Sequence, residues 1–154
     1  MKFFYYALIL SIFTSTAHAR ETLGVFGEWG AFKQRGACYA TSTPAQPTSS
    51  KRSEPYITVS IFPLQGQTPQ VMVATGTIAR SVSVRAGGQS FRPTLRGDAA
   101  WMPDSRGDAL MVQAFSAASN ASVDITTARG NRITDHYSLS GFGEALKAVQ
   151  AACR

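Results

Sequence analysis

A β-rich α+β domain, an antiparallel sheet or sandwich with two helices in its C-terminal half, is the fold this sequence predicts. Two observations carry the prediction. Ile57, Val59 and Ile61 alternate with Thr58 and Ser60, and Val82 and Val84 alternate with Ser81, Ser83 and Arg85. That period of two marks strands with one buried and one wet face. After Trp101 the period lengthens: Leu110, Met111, Ala114, Phe115 and Ala118 fall on one helical stripe, and Phe142, Ala145, Leu146, Val149 and Cys153 on another.

Residues 1–19 read as a cleaved export signal. Lys2 is the positive start, Phe3 to Phe13 the apolar stretch, and Ala17-His18-Ala19 the small-x-small cleavage site. An apolar run of about 11 residues is well short of the roughly 20 that cross a bilayer. Residues 20–154 are then one domain, large enough to bury about two-thirds of the unfolded chain's surface.

The mature chain opens with two expected strands, Val25 to Lys33 and Cys38 to Ala40, joined by a turn at Gln34-Arg35-Gly36. Residues 43–55 carry three prolines without periodicity and predict an exposed, mobile loop. Strands follow at Tyr56 to Phe62, Gln70 to Ala74 and Ser81 to Arg85, and Gly87-Gly88 turns the chain back through Gln89 to Phe91. Ser105-x-x-Asp108 resembles a capping box ahead of the first helix. Ser122 to Thr127 and Arg132 to Leu139 form a hairpin across Gly130-Asn131, and the second helix starts after Ser140-Gly141.

Export governs how the cysteines are read. In an oxidising compartment Cys38 and Cys153 are the only intramolecular pair available, and their bridge would tie the last helix to the N-terminal sheet. The alternative is two buried thiols. There is no Cys-x-x-Cys redox spacing.

No local constellation encodes catalysis, a cofactor or a metal. Once the signal is removed His136 is the one histidine, too few for the usual zinc sets. Its neighbour Asp135 would point to the opposite face of a strand, and no G-x-S-x-G elbow is present. Two Arg-Gly-Asp tripeptides, at residues 96–98 and 106–108, read as a turn and a helix start rather than as adhesive sites, the first copy lying on the more open turn.

The formal charge is +6, and arginine supplies eleven of the fifteen cations. Arg80, Arg85, Arg92 and Arg96 cluster in sequence around one hairpin and are the expected partner-binding residues for an anionic partner. Nucleic acid is disfavoured by export. The reading is a non-enzymatic binding protein for an envelope or host protein or glycan; an inhibitor of a periplasmic enzyme and a small exported hydrolase are the alternatives.

Three segments carry a family resemblance. Phe26-Gly27-Glu28-Trp29, the Gly87-Gly88 turn followed by Phe91, and Ser138-Leu139-Ser140-Gly141-Phe142-x-x-Ala145-Leu146 resemble the invasion-associated locus B family. The resemblance implies an exported bacterial protein, periplasmic or in the outer envelope. It also implies a β-rich fold, a link to host-cell invasion in some members, and no assigned enzymatic activity. The three motifs read as structural, so the resemblance carries over no site residue.

Overall fold

The computed structural model describes residues 20–46 and 51–154; the expected signal at 1–19 lies outside them. Eleven strands and two helices follow in order: β1 Glu21–Phe26, β2 Trp29–Gln34, β3 Ala37–Ser42, β4 Tyr56–Ile61, β5 Gln70–Ala74, β6 Ala79–Ala86, β7 Gln89–Phe91, β8 Thr94–Arg96, β9 Ala99–Trp101, α1 Ser105–Ala117, β10 Asn120–Thr127, β11 Arg132–Ser138 and α2 Phe142–Ala152. They form a seven-stranded sheet, β1-β2-β3-β4-β5-β9-β8, and a four-stranded sheet, β11-β10-β6-β7. Every pairing is antiparallel.

Alternation does what it predicts. Ile57, Val59 and Ile61 of β4 are fully buried, as is Val84 of β6. They join one core with Val71 and Val73 of β5, Val123 and Ile125 of β10, and the apolar faces of α1 and α2. The Gly87-Gly88 hairpin forms with both residues at positive φ, 57° and 75°, the conformation a two-residue turn demands.

Cys38 and Cys153 are joined as a disulfide, with their Cα atoms 5.9 Å apart. The last helix is thereby covalently attached to β3, as the sequence predicts.

Four expectations need correction. The stretch Val25 to Lys33 is two strands, because Gly27 takes φ 54° and turns the chain before Trp29. Strands β8 and β9 had no visible signal; each has only three residues, too few to display a period. Of the segment 43–55, residues 47–50 lie outside the described residues, and the rest is not simply exposed: Pro44 and Pro55 are buried, and the Arg52 side chain is 3% exposed. Leu110 lies on the wet side of α1, 42% exposed, while Met111, Ala114 and Phe115 pack inward.

The start of α1 also differs from the expected box. Asp104 is the cap and accepts the Gly107 N–H at 2.7 Å. Asp108 is instead buried, and its carboxylate accepts the Val71 N–H of β5 at 2.9 Å. Burial raises the Asp108 pKa above 3.8; the Val71 hydrogen bond opposes that and the Asp104 charge adds to it. A carboxyl with a folded pKa above its unfolded value stabilises the fold most when protonated, and that contribution is lost as pH rises through the folded pKa. Asp108→Asn keeps an oxygen for Val71 but cannot titrate. Across melting curves from about pH 3 to about pH 7, the wild type should therefore lose stability relative to the variant as pH rises. A difference independent of pH would contradict this assignment.

Candidate binding face

The inner face of the seven-stranded sheet is committed to the core; its outer face is open. Register places the outward side chains in rows. One row runs Gly30, Thr41, Thr58, Met72, Trp101 and Thr94, from β2 to β8. A second sets Phe32, Tyr39, Ser60 and Gln70 side by side, and a third joins Tyr56, Ala74, Ala99 and Arg96. The burial alternation confirms the direction: Ala100 is fully buried between the half-buried Ala99 and Trp101.

Aromatic rings stand at both ends of this face and hydroxyl and amide groups between them. The Phe32 and Tyr39 rings lie 5.4 Å apart, inclined at 33°, and the Arg20 guanidinium sits 4.4 Å above the Phe32 ring. Phe32 and Trp101 are four strands apart, about 19 Å at the usual strand spacing. Between them Thr58 Oγ1–H donates to Thr41 Oγ1 at 3.1 Å, and Thr41 Oγ1–H donates to the Ile57 carbonyl at 3.0 Å. A groove of about 470 Å³ runs along the middle of this face, with Tyr39, Thr41, Tyr56, Thr58 and Met72 in its lining and Phe32 and Trp101 outside it. Among the described residues, Arg20 and Glu54 are the charged residues that line it. Such a surface combines flat apolar faces with fixed hydrogen-bonding groups and little net charge.

The four arginines expected to bind a partner are not gathered on one surface. Arg85 projects outward from the four-stranded sheet, where it pairs with Asp124 at 2.7 Å. Arg96 projects outward from the seven-stranded sheet, in the row with Tyr56. Arg80 stands exposed at the register irregularity near the start of β6, and Arg92 just beyond β7.

Asp135 and His136 point to opposite faces. Asp135 is fully buried in an ion pair with Arg52, while His136 is exposed. Ser122 lies beside His136 across the ladder, with no hydrogen bond joining them among the described residues. The nearby Asp124 carboxylate is occupied by Thr134 Oγ1–H at 2.8 Å and by Arg85. Of the Arg-Gly-Asp copies, residues 96–98 sit exposed on the β8–β9 turn, whereas the second copy ends in the buried Asp108.

Sequence reasoning missed the buried polar group at the centre of the domain. Arg52 crosses from the proline-rich segment to Asp135 and also donates to the Thr75 carbonyl at 2.8 Å. Tyr137 is buried alongside, and burial first, with the Asp135 charge second, pushes its phenol above the ordinary tyrosine value. Nothing local to Arg52 marks it, because its partner is 83 residues away.

Two of the three segments that carry the resemblance, Phe26–Trp29 and Ser138–Leu146, meet in space. The Glu28 N–H donates to the Ser140 carbonyl at 3.1 Å, and Trp29 Nε1–H to the Ser138 carbonyl at 3.0 Å. The Trp29 and Phe142 rings make an edge contact at 4.9 Å. Gly141 has φ 84°, and a Cβ there would lie 1.9 Å from the Phe26 carbonyl oxygen, so only glycine fits.

The fold and its open face thus define a disulfide-closed, two-sheet β-rich domain with an aromatic and hydroxyl-bearing surface. Over residues 94–150 the chain matches the family model described as Invasion associated locus B (IalB) protein, the family that its motifs resemble. That match includes the Ser138-to-Leu146 ending; the Phe26-to-Trp29 motif lies outside it and joins it through the contacts above. No curated protein and no solved structure matches the chain. No helix among the described residues is long and apolar enough to cross a membrane.

Proposed function

We propose that this is a non-enzymatic, exported envelope protein that binds a glycan on the open face of its seven-stranded sheet. The observation that carries the reading is the row from Trp101 through Met72, Thr58 and Thr41, with Phe32 and Tyr39 beyond. Sugar rings offer C–H faces that pack on aromatic rings and hydroxyls that pair with threonine and glutamine groups. A groove whose described lining holds one cation and one anion suits a neutral polymer better than a charged one, with Arg96 standing on the same face outside that lining. Export is supported by the disulfide and by the expected signal, and the envelope setting by the family match.

Soluble envelope and host-cell polysaccharides, titrated calorimetrically against the purified exported protein, test the proposal. Trp101→Ala and Tyr39→Ala should each weaken binding about tenfold, the scale of a lost interface anchor, with little change in melting temperature. Binding that survives both substitutions would refute the assigned face. Release of sugar products by the wild type, abolished in His136→Ala, would favour the hydrolase reading instead.

A further inference from the structure

The open face of the seven-stranded sheet also sets the shape of its ligand, an inference that rests on the glycan-binding role proposed above. Tyr39 and Trp101 lie three strands apart across β3, β4, β5 and β9, whose residues are all described. Register puts Thr41, Thr58, Met72 and Trp101 in one row, with Tyr39 two residues along β3 from Thr41. Three strand spacings of about 4.8 Å and a two-residue step of about 7 Å along the strand set the two residues about 16 Å apart.

At the β2–β3 end the Phe32 ring is already engaged. It lies back over Gly30, where an added Cβ would meet it at 2.8 Å, and the Arg20 guanidinium covers it at 4.4 Å. Tyr39, half-buried, lines the groove and is the aromatic anchor available there. At the other end the half-buried Trp101 stands beside Met72, which also lines the groove.

The floor between the two anchors is polar and fixed. Thr58, 9% exposed, donates its hydroxyl proton to Thr41 Oγ1, and Thr41 donates its own to the Ile57 carbonyl. Both protons are committed within the sheet, which leaves the Thr58 oxygen as an acceptor. A ligand group that satisfies it must donate, as a sugar hydroxyl does and an ether oxygen does not.

We infer that this face takes an extended, equatorially linked neutral glycan lying across the strands, four sugar units reaching from Tyr39 to Trp101. Pyranoses joined through equatorial bonds form a nearly straight ribbon, each unit advancing by about 5 Å, close to the spacing of neighbouring strands. The first and last rings of four such units are then about 15 Å apart, which matches the separation of the anchors. An axially linked chain coils, so its fourth unit turns away from the sheet.

Calorimetric titration of the purified exported protein with β-1,4-linked glucose and N-acetylglucosamine oligomers of two to six units, and with α-1,4-linked maltohexaose, tests this. Affinity for at least one β-linked series should rise about tenfold from the trimer to the tetramer, where the second aromatic anchor is reached, and level off beyond it. Maltohexaose should bind at least about tenfold more weakly than the β-linked hexamer. In Trp101→Ala the tetramer should bind no better than the trimer, whose own affinity stays near that of the wild type; a merely structural role for Trp101 would weaken every length alike. Affinity that is flat with chain length, equal for maltohexaose, or absent for both β-linked series would overturn the inference. Envelope or host polysaccharides that still bind, and lose affinity in Tyr39→Ala, would then keep the glycan face while removing the extended-chain ligand. No polysaccharide binding at all would remove both.

Discussion

Replacing Trp29 with alanine should cost about 3–5 kcal/mol, the range for deleting a large buried aromatic. Trp29 is fully buried, contacts the Phe142 ring at 4.9 Å and lies 6.5 Å from the Phe115 ring. Phe115 and Phe142 meet each other edge-on at 5.6 Å. The substitution therefore opens a cavity where β2, α1 and α2 converge, and also removes the indole donor to Ser138. Trp29→Phe separates the two contributions. It keeps an aromatic ring but leaves the Ser138 carbonyl without that donor, with a cost of about 1–3 kcal/mol from the lost bond if the carbonyl stays dry. Urea denaturation of both variants is the measurement. A Trp29→Ala protein within about 1 kcal/mol of the wild type would mean that this aromatic cluster does not anchor the fold.

Opening the disulfide is expected to be comparably severe. Cys38 and Cys153 are separated by 115 residues, so the bridge restricts nearly the whole unfolded chain. Cys38→Ser or Cys153→Ser should cost about 2–5 kcal/mol. The helix end also has non-covalent ties: Lys33 Nζ–H donates to the Ala152 carbonyl at 3.0 Å and Gln67 Nε2–H to the Cys153 carbonyl at 3.1 Å. These should keep α2 docked in variants that still fold, so far-UV circular dichroism should remain native while the midpoint falls. Reductant should bring the wild type to the stability of the variants and leave the variants unchanged. Two titratable thiols in unfolded, unreduced protein taken from the periplasm would contradict the bridge.

Both predictions concern the region where the Phe26–Trp29 and Ser138–Leu146 segments meet and α2 is tied to β3. Gly27 and Gly141 permit the β1–β2 turn to touch the entry to α2, and Trp29 bridges to Ser138 and Phe142. The motifs consequently explain the fold more directly than the function. A face built from alternating positions of five or six strands has no compact sequence signature. Its residues are scattered from Phe32 to Trp101 and share only their outward direction.

By itself the sequence determined what local periodicity and composition encode: the strands at Tyr56–Ile61 and Gln70–Ala74, the Gly87-Gly88 hairpin, the two helices and the pairing of the only two cysteines outside the expected signal. Those features depend on neighbours a few residues apart, or, for the cysteines, on there being a single combination. Tertiary structure alone decided the rest. It turned Asp108 from an expected cap into a buried acceptor for Val71, drew Arg52 from a proline-rich segment to Asp135, and set Arg85 and Arg96 on different sheets. Strand order made these choices: a side chain's partner across a sheet or core can lie dozens of residues away, and a polar group buried there must find one before the surrounding apolar packing is favourable.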